Sequence, residues 1–136
     1  MKLSLFTFGL CLFAAACSGD DGTIKVDAVQ SPLTDKGGDA LFTVELVSAR
    51  TDGYAMNAFR VHVTPPDTTK AADVTCTVQD VNTNQKLDQG DKLSCIEGIA
   101  NTFDTAIAGQ DSAVEMFATI DGKETRVGSA TWTAPK

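Results

Sequence analysis

From residue 23 onward, apolar side chains recur at every second position in short runs that are separated by Gly, Pro, Asp and Asn. Phe42, Val44 and Leu46, for example, alternate with polar neighbours. This period of two is typical of β-strands with one buried and one wet face, whereas no stretch has the spacing of a long helix. The pattern predicts strands over 23–30, 41–49, 58–64, 73–79, 92–97, 101–107, 112–120 and 123–133.

Eight short strands at roughly ten-residue spacing predict an all-β fold, and specifically an antiparallel β-sandwich. Turn-forming residues break the chain between the runs at 35–39, 51–53 and 65–67. The architecture broadly resembles the immunoglobulin fold. It departs from that family because the long-range cysteine pair that brackets a tryptophan is missing.

The start of the chain has a different character from the rest. Lys2 precedes an apolar run from Leu3 to Ala16, and the small and polar residues 18–22 follow. This layout is typical of a secretory signal peptide. The run is shorter than the roughly 20 residues that a membrane-spanning helix needs. We therefore expect residues 1–16 to be a signal peptide.

Small residues lead into a cysteine at Ala14-Ala15-Ala16-Cys17. This ending resembles the lipobox of bacterial lipoproteins, which implies cleavage before Cys17, a diacylglycerol on Cys17 and acylation of the new amino terminus. Residues 17–22 would then form a flexible lipid-anchored tether. Ser18 stands where an aspartate would resemble an inner-membrane retention signal, so the outer membrane is expected, on either its periplasmic or its surface-facing side. The alternative is ordinary secretory cleavage that leaves Cys17 as a thiol or a disulfide partner.

The remaining cysteines predict one disulfide. Cys11 would leave with the signal peptide and Cys17 would carry lipid, so Cys76 and Cys95 have one possible pairing. An oxidising compartment favours a disulfide over two buried thiols. Such a bridge would close a loop of about 20 residues and stabilise the fold by about 3 kcal/mol in the chain-entropy model.

Residues 80–91, with the sequence DVNTNQKLDQGD, carry oxygen-bearing side chains at loop positions 1, 3, 5, 9 and 12. This spacing resembles the calcium loops of EF-hands, dockerins and thrombospondin type 3 repeats. The resemblance implies a structural calcium ion with these ligands: Asp80, Asn82, Asn84, the carbonyl of Lys86, Asp88 and Asp91. Position 6 holds Gln85 where the family has glycine, and position 12 holds an aspartate where it has glutamate, so modest affinity is expected.

The cysteine pair adds a second argument about this loop. If Cys76 faces Cys95 in a hairpin, the same register places Val78 opposite Leu93 and then sets residues 80 and 91 against each other. Two carboxylates that face each other across a ladder repel, and a cation between them would remove the repulsion. The alternative is a plain polar hairpin loop, since Asp, Asn and Gly are ordinary turn formers.

Asp121-Gly122 joins two alternating runs and predicts a two-residue type I′ hairpin. Its register places Met116 opposite Val127 on the core side. Three residues of the other face form a candidate binding patch: Phe117, Arg126 and Trp132. An exposed aromatic ring could stack on a sugar or on a protein partner. The alternative is that the phenylalanine stacks on the arginine or lies under a second sheet.

His62 is the only histidine of the chain and shares an outward-facing row with Arg60 and Thr64, so we expect it to be solvent-exposed. No second histidine can complete a metal pair or a base relay, and no nucleophile-elbow sequence is present. The carboxylates of the 80–91 loop are better explained by turn chemistry or calcium than by glycoside hydrolysis. We therefore expect no enzyme activity.

Size and charge complete the prediction. Without the signal peptide, about 120 of the 136 residues remain, which is enough for one domain over 23–136. The formal net charge of −7 repels phosphate backbones, so nucleic-acid binding is not expected. The sequence predicts a lipid-anchored, non-catalytic binding or adhesion module whose partner is an envelope protein or a glycan. The alternative is a structural lipoprotein that acts as a plug or spacer, and a hydrolase is less favoured.

Overall fold

The computed structural model describes residues 20–136, so the predicted signal peptide and Cys17 lie outside the described range. The strands are β1 (Thr23–Ala28), β2 (Ala40–Ser48), β3 (Tyr54–Ala55), β4 (Phe59–Thr64), β5 (Ala72–Gln79), β6 (Lys86–Leu87), β7 (Lys92–Ile96), β8 (Asp111–Ile120) and β9 (Lys123–Thr133). Seven of the eight predicted strands are confirmed, with ends that differ by at most two residues. Within residues 20–136, no helix has the length and apolar character needed to cross a membrane.

The predicted strand over 101–107 is wrong. The carboxylate of Asp104 accepts a hydrogen bond from Ala106 N at 2.9 Å and so begins a short 3₁₀ helix, Thr105–Ile107. Phe103 and Ile107 are both buried, four residues apart, on the inner side of this segment. Both residues are apolar because this loop packs onto the core. Over so few residues, the spacing of apolar side chains in a tight turn resembles that of a strand.

Seven strands form one continuous antiparallel sheet in the order β1-β2-β7-β5-β4-β8-β9, and β3 pairs only with β6. Its two halves have the strand orders A-B-E-D and C-F-G of a constant-type immunoglobulin domain. The sheet curls into a shell, and its two edge strands meet because the chain at the start of β1 runs beside β9. There Gly22 N, just before β1, donates to Val127 O at 2.8 Å. A Cβ atom at Gly128 would lie 3.0 Å from Ile24 N, so glycine permits this close approach. The predicted all-β, broadly immunoglobulin-like sandwich is confirmed.

Aromatic rings fill the centre of the shell. The ring of Trp132 lies 5.2 Å from that of Phe42 and 6.2 Å from that of Phe103, measured between centroids. Each half of the sheet contributes one alternating set of side chains to this core. The other fully buried large apolar residues are Leu41, Val44, Leu46, Val61, Val63, Leu87, Leu93, Val114, Met116 and Val127.

A bulge in β9 decides which of its side chains face the core. Phe117 pairs with Arg126 as predicted, but Met116 pairs with Gly128, because β9 has one extra residue at this point. A shift of one residue exchanges the two faces of a strand. Trp132 is therefore 1% exposed and lies inside. The predicted pairing of Met116 with Val127 is wrong, and so is the exposed position predicted for Trp132.

The predicted disulfide between Cys76 and Cys95 is present, with the two Cα atoms 4.1 Å apart. The same ladder pairs Val78 with Leu93, as predicted, and its last pair before the loop is Gln79 with Lys92. The bridge therefore joins β5 to β7 close to the base of the 80–91 loop.

We expect the double substitution Cys76→Ser/Cys95→Ser to lower the free energy of unfolding by about 3 kcal/mol, because the unfolded chain regains the freedom of a loop of about 20 residues. Urea denaturation of the purified parent and variant measures the difference. The parent under reducing conditions is the matched control and should lose a similar amount. An unchanged urea midpoint in the variant would contradict a stabilising bridge.

Candidate binding loops and surface

The loops of the sandwich gather at its two ends. The N-terminal end comprises residues 20–22, the loops 49–58 and 80–91, and the turn 121–122. The distal end comprises the loops 29–39, 65–71 and 97–110 and the final residues 134–136. Sandwiches of this class hold binding loops at their ends because the sheet fixes the base of each loop.

The 80–91 loop is organised around the carboxylate of Asp80. Its oxygens accept backbone hydrogen bonds from Asn84, at 3.3 Å, and Gln85, at 2.7 Å. Thr83 and Gln85 adopt positive φ angles of 60° and 62°. Calcium loops use glycine at position 6 because the turn there needs a positive φ. Gln85 adopts that conformation without being glycine, so its presence does not prevent the turn.

Asp91 is fully buried, and its carboxylate closes the other side of the loop. One oxygen accepts from Val81 N at 2.8 Å and the other from Asp88 N at 2.9 Å. Two backbone N–H dipoles therefore offset its negative charge. The predicted register set this carboxylate directly against that of Asp80. The ladder stops one pair earlier, however, and the two carboxylates bind different backbone amides.

The donor set of the loop suits a hard cation, since it offers carboxylate and amide oxygens. In the structure, however, the amide nitrogens of Asn82 and Asn84 both donate to the carboxylate of Asp88. Within residues 20–136, no group of three or more His, Cys, Asp and Glu side chains is placed to hold a metal ion. A cation bound by Asp88 would replace these two hydrogen bonds, and both amides would have to turn their oxygens toward the ion.

A shallow depression of about 360 Å³ adjoins this loop at the N-terminal end. Arg50 and Thr51 line one side of it, and Asn82, Asp88 and Gln89 line the other. The loops 49–58 and 80–91 are held together there by the short β3–β6 pairing, in which Tyr54 lies opposite Leu87.

The candidate patch of Phe117, Arg126 and Trp132 does not form one surface, because Trp132 lies in the core. Phe117 is half-buried, and the guanidinium of Arg60 covers its ring at 4.2 Å from the centroid. Arg126 contacts Asp20 and Glu115 instead of the ring. The predicted partner of Phe117 was Arg126, on the adjacent strand β9, but the ring is covered by an arginine of β4.

Arg60 is held in place by two carboxylates. It donates two hydrogen bonds to Glu124, at 2.8 and 2.6 Å, and one to Asp73 at 3.2 Å. Beside this network lies a shallow cavity of about 260 Å³, which the ring of Phe117 also lines. The paired charges and the covering arginine leave little of the ring accessible to a flat ligand such as a sugar.

His62 is partly exposed on the outer face of β4, and its Nδ1 lies 2.8 Å from Asp73 Oδ1. Burial by itself raises the pKa of Asp73, but the hydrogen bonds from His62 and Arg60 outweigh it and lower that pKa. The sequence pattern did not predict this cluster. Its signal was the alternation of Arg60 and His62 on one face of β4, with Asp73 at the start of the next strand.

At the distal end, a buried carboxylate braces two loops. Glu97 is 1% exposed and accepts hydrogen bonds from Phe103 N at 3.1 Å and Asp39 N at 3.4 Å. Burial raises the pKa of Glu97, although these bonds oppose the shift. A Cβ atom at Gly37 would lie 2.1 Å from the carbonyl oxygen of Ile99, so only glycine fits between the loops.

We call the two braced segments, 34–39 and 97–105, the distal ridge. Gly38 N donates to Gly98 O at 3.1 Å, and Thr105 Oγ1 donates to Asp35 Oδ1 at 2.8 Å. The side chain of Ile99 is completely exposed at its tip. The distal ridge was not predictable from the sequence, because its bonds join positions that are up to 70 residues apart.

Comparison with known proteins gives no relative from which a function could be transferred: no family model matches the chain, and no curated protein or solved structure is significantly similar to it.

The Asp73 cluster predicts a pH-dependent stability. Because the pKa of Asp73 is lower in the folded protein, its contribution is present above the unfolded value of about 3.9 and is lost as pH falls through the folded value. We expect Asp73→Asn to reduce the free energy of unfolding at pH 7 by at most about 1 kcal/mol, since the pair is exposed to solvent. The loss should shrink as the pH is lowered from 4 toward 2, because the carboxyl group then becomes protonated in the folded protein as well. Urea denaturation at pH 7 and at pH 2 checks this, and an equal loss at both would indicate a steric cause.

Proposed function

We propose that this protein is a lipid-anchored, non-catalytic binding module of the bacterial outer membrane. Lipid on Cys17 would hold the module at the membrane, and the sandwich would present its loops to a partner in the envelope. The observation that carries the binding role is the distal ridge, where a braced loop ends in the fully exposed Ile99.

A braced loop is well suited to binding. The hydrogen bonds of Glu97 and of the Gly38–Gly98 pair fix the loop before any partner arrives. Binding then costs little further conformational entropy, which favours affinity. Burial of one isoleucine side chain against a partner contributes about 1.5–3 kcal/mol.

The surface chemistry favours a protein partner over a glycan. The exposed large hydrophobic residues within 20–136 are all aliphatic: Val47, Val81, Ile96 and Ile99. Sugar recognition through stacking needs an accessible aromatic face, but Trp132 is buried and Arg60 covers the ring of Phe117. We therefore propose an envelope protein with an apolar contact surface as the partner.

We expect a photo-crosslinker placed at position 99 of the lipidated protein, in producing cells, to give one discrete protein adduct. The same crosslinker at Val81, which is also exposed but lies at the N-terminal end, is the matched control and should not give that adduct. An excess of soluble domain should compete the adduct away, whereas the domain carrying Ile99→Ser should compete at least tenfold less well.

Two results would contradict the binding role. One is the same adduct pattern from positions 99 and 81, and the other is equal competition by the Ile99→Ser domain. If function in cells then survives Ile99→Ser and is lost in Cys17→Ala, the protein acts as a lipid-anchored spacer. Mass analysis of the amino-terminal peptide tests the anchor separately, since that peptide should carry the acyl chains.

We also propose that calcium orders the 80–91 loop. The support is the turn itself, in which Asp80 binds two backbone amides and Gln85 has the positive φ that position 6 of such loops requires. The ligands would be Asp80, Asn82, Asn84, the carbonyl of Lys86, Asp88 and Asp91. The ion would stabilise the loop and would have no part in catalysis.

Calcium at 5 mM should raise the thermal unfolding midpoint of the parent, in proportion to a stabilisation of about 1–2 kcal/mol for a dissociation constant near 0.1–1 mM. Asp88→Asn removes one ligand charge and should abolish the shift. Asp52→Asn, in the neighbouring exposed turn, removes the same charge outside the ligand set and should leave the shift intact. Equal shifts in all three proteins, or none in the parent, would identify the segment as a plain turn.

A further inference from the structure

The chain that precedes β1 is attached to the side of the sandwich. Asp21 N donates to Arg126 O at 2.9 Å, and Gly22 N donates to Val127 O at 2.8 Å. Asp20 forms an ion pair with the Arg126 side chain. Residues 20–22 therefore do not act as the flexible tether that the sequence predicts, because they continue β1 along β9.

The hydroxyl of Tyr54 adds a further attachment, since it donates to Asp21 Oδ2 at 2.9 Å. Burial, together with this bond to Asp21, raises the pKa of Tyr54 to about 12, so the hydroxyl remains a donor at neutral pH. Tyr54 belongs to the loop 49–58. Residues 20–22 are thus bonded both to β9 and to this loop.

This attachment shortens the tether. Three residue steps separate Cys17 from Asp20, and a fully extended chain covers about 3.5 Å per step, or about 11 Å in all. The sandwich itself is longer, because a ten-residue strand such as β8 spans about 33 Å. While residues 20–22 stay bonded, a lipid on Cys17 therefore holds the N-terminal end next to the bilayer, and the sandwich cannot stand on its distal end.

The N-terminal end has surface chemistry that tolerates a bilayer. Val81 is 59% exposed at this end, and Val47 near the end of β2 is 44% exposed. This end, with the first residue of β9, also combines cationic and anionic side chains: Arg50, Lys86 and Lys123 with Asp20, Asp21, Asp52, Asp80, Asp88 and Asp121. A mixed and partly apolar surface fits a zwitterionic headgroup region better than a strongly anionic one.

From the direction of β1 and the length of the tether, we infer that the N-terminal end of the sandwich rests on the bilayer surface and that the distal ridge points away from it. This inference rests on the proposed lipid anchor at Cys17. It assigns the loops 49–58 and 80–91 and the turn 121–122 to the membrane side. The partner of the distal ridge then approaches from the side opposite to the membrane.

The test uses the full lipidated protein in phosphatidylcholine vesicles that contain a nitroxide-headgroup lipid as quencher. A fluorophore is placed on Asp52→Cys at the N-terminal end or on Lys36→Cys at the distal end, both exposed positions. We expect at least threefold stronger quenching at position 52 than at position 36. A variant with 14 Gly and Ser residues inserted between Gly19 and Asp20 has a tether that reaches about 20 Å further, and the difference should fall below twofold.

The outcomes separate the orientation from the anchor. If the amino-terminal peptide carries acyl chains and the protein floats with vesicles, but both positions are quenched equally, the orientation is wrong and the anchor stands. A difference that persists unchanged in the spacer variant also overturns the role of the short tether. If the peptide carries no acyl chains and the protein does not float, the anchor is wrong and the orientation falls with it.

Discussion

The packing of Trp132 between the two halves of the sheet is the interaction on which the rest of the fold depends. Its ring contacts Phe42 of β2 and Phe103 of the 97–110 loop, so one side chain joins both halves and the distal loop. An aromatic residue of this size buries 150–250 Å² and dominates the energetics of a small core. Within the described residues, its Nε1 and the Oγ of Ser112, directly opposite on β8, have no hydrogen-bond partner.

That packing requires the bulge in β9, which the hydrophobic pattern did not predict. The type I′ turn at Asp121-Gly122 was predictable, and both residues have positive φ angles, of 50° and 76°. Counting outward from the turn gives the correct partner for Phe117 but fails one pair later. A bulge can be recognised in the hydrophobic pattern only where two adjacent residues are both expected to face the core. In the structure, Val127 and Gly128 are such a pair, since both are buried. The inward position of Gly128 was not predictable, because glycine gives no hydrophobic signal and its close approach to β1 is not visible in the sequence.

Local patterns predicted the strands and the β5–β7 register, whereas the candidate sites depend on contacts between distant segments. The cysteine pair fixed the pairing of Val78 with Leu93 without any structure. By contrast, the cover on Phe117 comes from Arg60, and the brace on Glu97 involves Asp39. Neither contact follows from a period of two. The alternation identifies the outer face of each strand, but the identity of the neighbours on that face is a property of the strand order.

The structure divides its stabilising groups between the two ends. At the N-terminal end the disulfide closes the ladder close to the 80–91 loop, and the buried Asp91 holds the loop itself. At the distal end the buried Glu97 performs the corresponding role for the ridge. On the outer face of β4, β8 and β9, the guanidinium groups of Arg60 and Arg126 are both paired with carboxylates. Since that face satisfies its own charges, a partner would have to displace existing ion pairs to bind there. Binding at the loop tips displaces no ion pair of this kind, because the groups that brace the loops lie at the loop bases. Residues at the tips can therefore be substituted without disturbing the core.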